Sequence, residues 1–401
     1  MSWEGVTIMD QRVRFISEYL DRHFSVAEIC RQFNISRKTG YKWLSRYEAY
    51  GAQGLEDRSR KPKRCPHKTK YHIVRAIKYI RQKHPTWGPK KILALLDKRH
   101  PDWEHPAIST AAGILKREGL VPGPTRKIRR KHPGCPTTVA TEPNQIWTAD
   151  YKGEFKMRNG AYCYPLTVCD MYSRYLLGCD GHKAISLKRS KESFTRLFEE
   201  YGLPERIRTD NGVPFASNAI ARLSSLSVWW IKLGIYPELI EPGEPQQNGK
   251  HERMHKTLKK EATIPPEKNL RAQQNRFNTF QREYNEIRPH EALDMKTPSE
   301  LYTGSKREMP RKLEHWDYPS HFKVRYVSRN GGIRWHHKRV PVTHTLQEEY
   351  IGFEEVDDGI YNVYYCDYLI GRFFEEINKI KDIIERIPVR QRIVKESYRC
   401  T

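Results

Sequence analysis

Gln145-Ile146-Trp147-Thr148-Ala149-Asp150-Tyr151-Lys152-Gly153 is where the chain changes texture from helical to β. Ile146, Trp147 and Tyr151 mark a strand, and Asp150 lies inside it among apolar neighbours. A carboxylate buried there without a partner is costly, so Asp150 is expected to be paired or to hold a metal. Beyond it, residues 163–170 and 175–181 are apolar runs of strand length, and 188–201 reads as a helix. A short strand, 205–209, runs into Asp210-Asn211-Gly212, followed by a helix over 218–233 and a strand over 235–241. Helices over 247–261 and 271–286 close the region. That order predicts an α/β sheet with one antiparallel meander at its start.

Three acids stand out by position. Asp210 falls at the carboxyl end of a strand, where α/β sheets place their ligands. Glu252 lies on the helix that begins after Asn248-Gly249. Each also has a plain reading: Asp150 as a strand-edge acid, Asp210-Asn211-Gly212 as a turn, Glu252 as a solvated helix residue. Brought together with Asp150, they would repel one another unless cations neutralised them. Hard oxygen ligands select Mg²⁺ or Mn²⁺, and two ions about 4 Å apart would serve phosphodiester chemistry.

Working outward toward the N-terminus, Val13, Ile16, Tyr19 and Leu20 form one helical face. Ser25 with Glu28 makes a capping box for a second helix, and Ser36 caps a third that carries Arg37, Lys38, Lys42 and Arg46. This pattern predicts a helix-turn-helix DNA-binding domain over 1–57. The run Arg58-Ser59-Arg60-Lys61-Pro62-Lys63-Arg64 cannot pack a core. It is expected to be a basic linker (58–70) suited to a minor groove. A second helical DNA-binding domain is expected over 71–122, with Pro89 and Ser109 opening helices. A further basic linker, 123–143, carries Arg126, Arg129 and Arg130.

After Pro310, strands at 321–328, 333–340, 349–356 and 359–369 predict a small all-β barrel over 306–372. The remainder, 373–401, reads as a mixed-charge helical tail with Ile380, Ile383 and Ile384 on it. The α/β domain between them spans 144–305.

The 401 residues carry a formal net charge of +24. Such a field attracts anions, nucleic acid first and an acidic membrane surface second. No run is long and apolar enough for a membrane span, and no signal core opens the chain, so a cytoplasmic, nucleoid-associated protein is expected. The eight cysteines lack Cys-x-x-Cys spacing and are read as reduced thiols, without a structural zinc site.

The stretch 145–153 resembles the first-aspartate motif of insertion-sequence transposases in the retroviral-integrase-like DDE superfamily. Arg208-Thr209-Asp210-Asn211-Gly212 with Phe215 resembles the second motif, and residues 245–259 around Glu252 resemble the third. Asp170 with Ser173-Arg174 is similar to a further block. Tyr284-Asn285, Arg288-Pro289-His290 and Thr297-Pro298 resemble the closing motif. The resemblance implies an RNase H-like core in which Asp150, Asp210 and Glu252 bind two Mg²⁺ or Mn²⁺ ions. It also implies double-stranded DNA as partner (terminal repeats and target), a homo-oligomer on DNA, and Arg253 facing that DNA. An accessory ATPase stays an open partner. Between Asp210 and Glu252 lie 41 residues, more than the resemblance implies, so Glu241 and Glu244 stay in contention as the third acid. The alternative function is a DNA-binding regulator with an inactive RNase H-like domain. His251 and His255, four apart, are read as DNA-facing or solvated, and Asp170 as structural.

Overall fold

The computed structural model describes residues 7–58, 68–121, 138–241 and 245–383. The chain divides into two compact units, Met1–Thr69 and Lys70–Thr401.

The first unit holds α1 (Ile8–Leu20), α2 (Val26–Gln32) and α3 (Arg37–Tyr50). Ser25 and Glu28 form the expected capping box, and the Ser36 hydroxyl accepts from the Thr39 amide. The face of α1 differs from the expectation: Phe15 and Ile16 are buried, whereas Val13 and Leu20 are about half exposed. Gly40 lets α2 and α3 meet, since a Cβ there would lie 2.4 Å from Cys30 Sγ.

The second unit begins with α4 (Tyr71–Lys83), α5 (Pro89–Arg99) and α6 (Ile108–Arg117), packed on Ile77, Trp87, Ile92 and Ile114. Ile287, from far along the chain, joins this cluster, and the Arg288 guanidinium sits 5.9 Å from the Trp87 ring. Lys98 of α5 pairs with Glu300 at 2.6 Å, so these helices are docked on the α/β domain.

The central sheet comprises β1 (Ile146–Tyr151), β2 (Phe155–Lys156), β3 (Tyr162–Asp170), β4 (Leu176–His182), β5 (Arg206–Thr209) and β6 (Tyr236–Leu239). Strand β3 pairs antiparallel with β1 and β4, while β5 lies parallel to β1 and β6 parallel to β5. The antiparallel meander thus feeds a parallel half, as the element order requires. One face packs on α7 (Leu187–Tyr201) and α8 (Ser225–Lys232) through Phe194, Phe198 and Trp230. The other packs on α9 (Gly249–Ala262) and α10 (Leu270–Arg282) through Met254, Leu258 and Phe277. The helix expected over 218–233 begins later, at Ser225, because Ala221 and Arg222 have positive φ and Ser224 caps it.

The C-terminal region contains β7 (Lys323–Tyr326), β8 (Gly332–Trp335), β9 (Lys338–Pro341), β10 (Tyr350–Asp357), β11 (Ile360–Tyr365), β12 (Tyr368–Phe374) and β13 (Lys379–Asp382). Two expected single strands are hairpins, broken at His336 (φ 48°) and Cys366 (φ 53°). The helical tail is corrected at its start: Lys379–Asp382 pairs with β12, and Ile380, opposite Phe373, is buried between charged neighbours. The rest of that tail lies outside the described residues. Strands run in the order β13-β12-β11-β10-β7, with β8-β9 a separate pair. No strand pairing among the described residues closes this sheet into the expected barrel. Among the described residues the cysteines at 30, 163, 169, 179 and 366 are free and buried.

Asp170, at the end of β3, is fully buried and accepts from the Asn144 amide (2.8 Å), the Ser173 amide (2.8 Å) and the Ser173 hydroxyl (2.6 Å). It ties the β3–β4 turn to the chain entering β1. Removing a buried, hydrogen-bonded charge of this kind leaves its donors unpaired. Asp170→Ala is expected to lower unfolding free energy by about 3–5 kcal/mol. A urea denaturation midpoint equal to the parent's would refute this anchoring role.

Candidate active site

Alternation along β1 sends Trp147 and Ala149 into the α7–α8 core. Thr148 and Asp150 therefore face α9. Asp150 lies opposite Thr167 on β3, and Thr148 opposite Cys169. On α9, His251 and His255 are four apart and share one helix face. Both are buried, contrary to the DNA-facing or solvated reading. Thr148 Oγ1 lies 2.8 Å from His251 Nδ1. Thr167 Oγ1 lies 2.7 Å from both His251 Nε2 and His255 Nε2, and donates to the Asp150 carbonyl at 3.0 Å. Four residues of helix rise about 6 Å and two of strand about 6.6 Å, so the histidines match the spacing of Thr148 and Asp150. Burial depresses both imidazoles, His251 to about 3 and His255 to about 2, which keeps them neutral.

Asp210 follows β5 directly. Because Thr209 pairs with Ala149, the chain delivers Asp210 beside Asp150. The Gly212 amide donates to Asp210 Oδ1 at 3.1 Å. Asn211 donates to the Ile240 carbonyl and accepts from Arg222, both at 2.8 Å, which holds the loop. Glu252 stands exposed in the first turn of α9. Burial first, then the charge of Asp210, with a further push from Glu252, raises the Asp150 carboxyl to about 7; Lys152 opposes this.

A divalent cation fits this donor chemistry. Asp150 has no Lys or Arg ion pair among the described residues; its nearest basic group is His255 Nδ1, 3.5 Å from Oδ2. Mutually repelling carboxylates short of cations are the environment that Mg²⁺ or Mn²⁺ relieves. Asp150, Asp210 and Glu252 would hold the ions. The ligand set is not closed: among the described residues no group of three or more His, Cys, Asp or Glu side chains converges tightly enough to hold an ion. Of the rival third acids, Glu241 is exposed beyond β6 and Glu244 lies outside the described residues.

Among the expected DNA-binding residues, Arg37, Lys38 and Lys42 are exposed on α3. Arg46 is half-buried, its guanidinium 4.9 Å from the Trp43 ring, so packing takes up part of its surface. Arg58 lies 4.9 Å from the Tyr50 ring, and Arg253 is exposed beside Glu252. Arg60, Lys61, Lys63, Arg64, Arg126, Arg129 and Arg130 lie outside the described residues. No described helix is long and apolar enough to cross a membrane.

Two integrase core domain models match residues 140–245 and 233–298, a helix-turn-helix domain model matches 11–63, and a homeodomain-like domain model matches 39–115. The chain is 26% identical over 230 residues to the insertion element IS407 uncharacterized 31.7 kDa protein of Burkholderia multivorans, spanning 54% of this chain and 75% of that one. It is 26% identical over 230 residues to the insertion element IS476 uncharacterized 39.2 kDa protein of Xanthomonas euvesicatoria, covering 55% of this chain and 62% of that one. The HTLV-2 integrase catalytic core domain in complex with magnesium, in a trimeric form, aligns with a TM-score of 0.33 and 17% identity over 41% of this chain and 100% of that chain. An integrase core thus carries the three acids, with helix-turn-helix sequence ahead of it, and over about half of its length the chain is similar to insertion-element proteins.

Proposed function

We propose that this protein binds the terminal repeats of its element, cleaves their 3′ ends and joins them to target DNA. The observation that carries the reading is the Asp150 carboxyl, partly buried beside Asp210 and Glu252 without a Lys or Arg partner. A structural acid would find a cation or several amide donors, as Asp170 finds its donors. Asp150 is instead left for something supplied from outside.

In this reading the exposed cations of α3 grip phosphates of the end sequence, and Arg253 contacts the strand near the reacting bond. Asp150 on β1 and Asp210 just past the neighbouring β5 would set the position of the scissile phosphate. Glu252 closes the ligand set from α9 when DNA is seated. Divalent ions, when bound, activate the attacking oxygen and stabilise the leaving one. Cutting and joining two ends calls for at least two copies of the site, so the protein acts as an oligomer on DNA.

Asp150→Asn is expected to abolish strand transfer in Mg²⁺ or Mn²⁺ while end binding in a gel-shift assay stays intact. Ends joined by the variant at the parent's rate would remove Asp150 from the chemistry. No nicking by the parent under either metal would instead favour a regulator with an inactive core.

A stability measurement tests the same carboxyl. An acid with a raised folded pKa disfavours its charged form in the folded state. The metal-free protein therefore loses stability as pH rises from the unfolded value of 3.8 to about 7. Asp150→Asn cannot ionise and escapes this loss. In EDTA at pH 8 the variant is expected to exceed the parent by about 2–4 kcal/mol, and by less at pH 5. Equal urea midpoints at both pH values would count against a partly buried, repelled Asp150.

A further inference from the structure

Basic side chains from three elements gather next to Glu252. Arg253 follows it on α9 and is exposed, while Arg174 in the β3–β4 turn and Lys91 on α5 are partly buried. None of the three makes a side-chain hydrogen bond or ion pair among the described residues. The acids close by are engaged elsewhere. Glu261 pairs with Arg288 at 2.6 Å and accepts from the Thr86 hydroxyl, and Glu291 pairs with Lys90. Burial first, then Arg288 and Arg253, holds the Lys91 ammonium down to about 8, with Glu261 and Glu291 opposing. Burial also holds Arg174 below the usual guanidinium range; Arg253 adds to this and Tyr284 opposes it. His290, in the field of Lys91, Arg288 and Arg174, is 6% exposed, and its buried Nε2 has no hydrogen-bond partner.

Like charges crowded away from water cost the folded chain free energy, and an anion placed among them removes that cost. Position says which anion. Lys91 is in the field of both Arg253 and Glu261, which are eight residues apart on α9, about 12 Å of helix rise. DNA advances about 3.4 Å per base pair, so a strand passing Glu252 brings a phosphate to these cations within about four nucleotides of the reacting bond.

We propose that Lys91, Arg174 and Arg253 form a phosphate site for the DNA strand whose reacting bond lies at Asp150, Asp210 and Glu252. The inference rests on the function proposed above. It adds that α5, from the helices ahead of the core, forms part of the seat of that strand. Each guanidinium can meet two phosphate oxygens with its planar fork. The partly buried lysine supplies a point charge where water and salt screen it least.

The test is equilibrium binding of the full-length protein to a duplex carrying an element end, in EDTA, over a series of salt concentrations. Lys91→Gln is expected to weaken binding about tenfold. It is also expected to reduce the slope of log affinity against log salt by about 0.9. Its urea midpoint at pH 7 is expected to equal or exceed the parent's, because it lacks a cation that the free protein holds at a cost. A neutral methylphosphonate within about four nucleotides of the cleaved bond should weaken binding by the parent and not by Lys91→Gln. Unchanged affinity and slope in Lys91→Gln would overturn the site. So would lost affinity with a lowered midpoint, which makes Lys91 a structural residue. Inorganic phosphate that raises the parent's midpoint and not the variant's, with equal DNA affinity, would make this a site for the free ion and overturn the DNA assignment. A parent that fails to bind end DNA would overturn the proposed function itself.

Discussion

One hydroxyl holds the centre of this protein in register. Thr167 bonds across β3 to the main chain of β1 and to two histidines of α9. The two elements it joins to β3, β1 and α9, each carry a candidate acid. Asp150 is on β1, Glu252 is one residue after His251, and β5, which delivers Asp210, is hydrogen-bonded to β1. A buried polar network is costly unless every member is satisfied, and this one leaves few arrangements of helix on sheet. Sliding α9 by one residue would turn the histidines off their threonines and leave their nitrogens unpaired.

The long gap between Asp210 and Glu252 has a structural use. Ile220, Ala221, Leu223, Val228 and Ile231, all within it, share a core with Val327, Trp335, Phe353 and Phe373 of the C-terminal strands. Gly371 leaves room for Ile220, since a Cβ there would lie 3.1 Å from the Ile220 Cδ1. The Ala221 amide donates to Asp382 at 3.0 Å. The insertion is thus a docking platform that joins the C-terminal sheet to the Asp210 loop, itself held through Asn211 and Arg222. A similar continuity exists on the N-terminal side, where Ile287 and Arg288 of the closing motif pack on the α4–α6 helices.

The site also shows how function opposes stability. Asp170 and Asp150 sit at opposite ends of neighbouring strands, Asp170 fully buried and Asp150 partly so. Asp170 is satisfied by amide and hydroxyl donors, and it anchors a turn. Asp150 is crowded by like charge and faces a neutral imidazole. In the function proposed above such a group is tolerated because a bound ion would relieve it, the usual origin of destabilised functional sites.

Local signals were enough for the elements whose cause is local. The Ser25–Glu28 capping box, the Ser36 cap, Pro89 at a helix start and the strand around Asp150 were all legible, because capping and φ restriction act within a few residues. The strand order was implied by the succession of elements, and the motif resemblance singled out Asp150, Asp210 and Glu252. The tertiary structure alone decided what depends on distant partners. His336 and Cys366 break two strands into hairpins with positive φ, a conformation their side chains do not announce. Ile380 belongs to a strand because Phe373 lies opposite. His251 and His255 read as surface residues on a charged helix and are buried, because their partners, Thr148 and Thr167, come from strands about 100 and 85 residues earlier. Sequence alone thus singled out three acids and a basic N-terminal half that matches helix-turn-helix domains. Folding decided that both histidines are buried against strand threonines, since those hydrogen bonds exist only once helix and sheet have met.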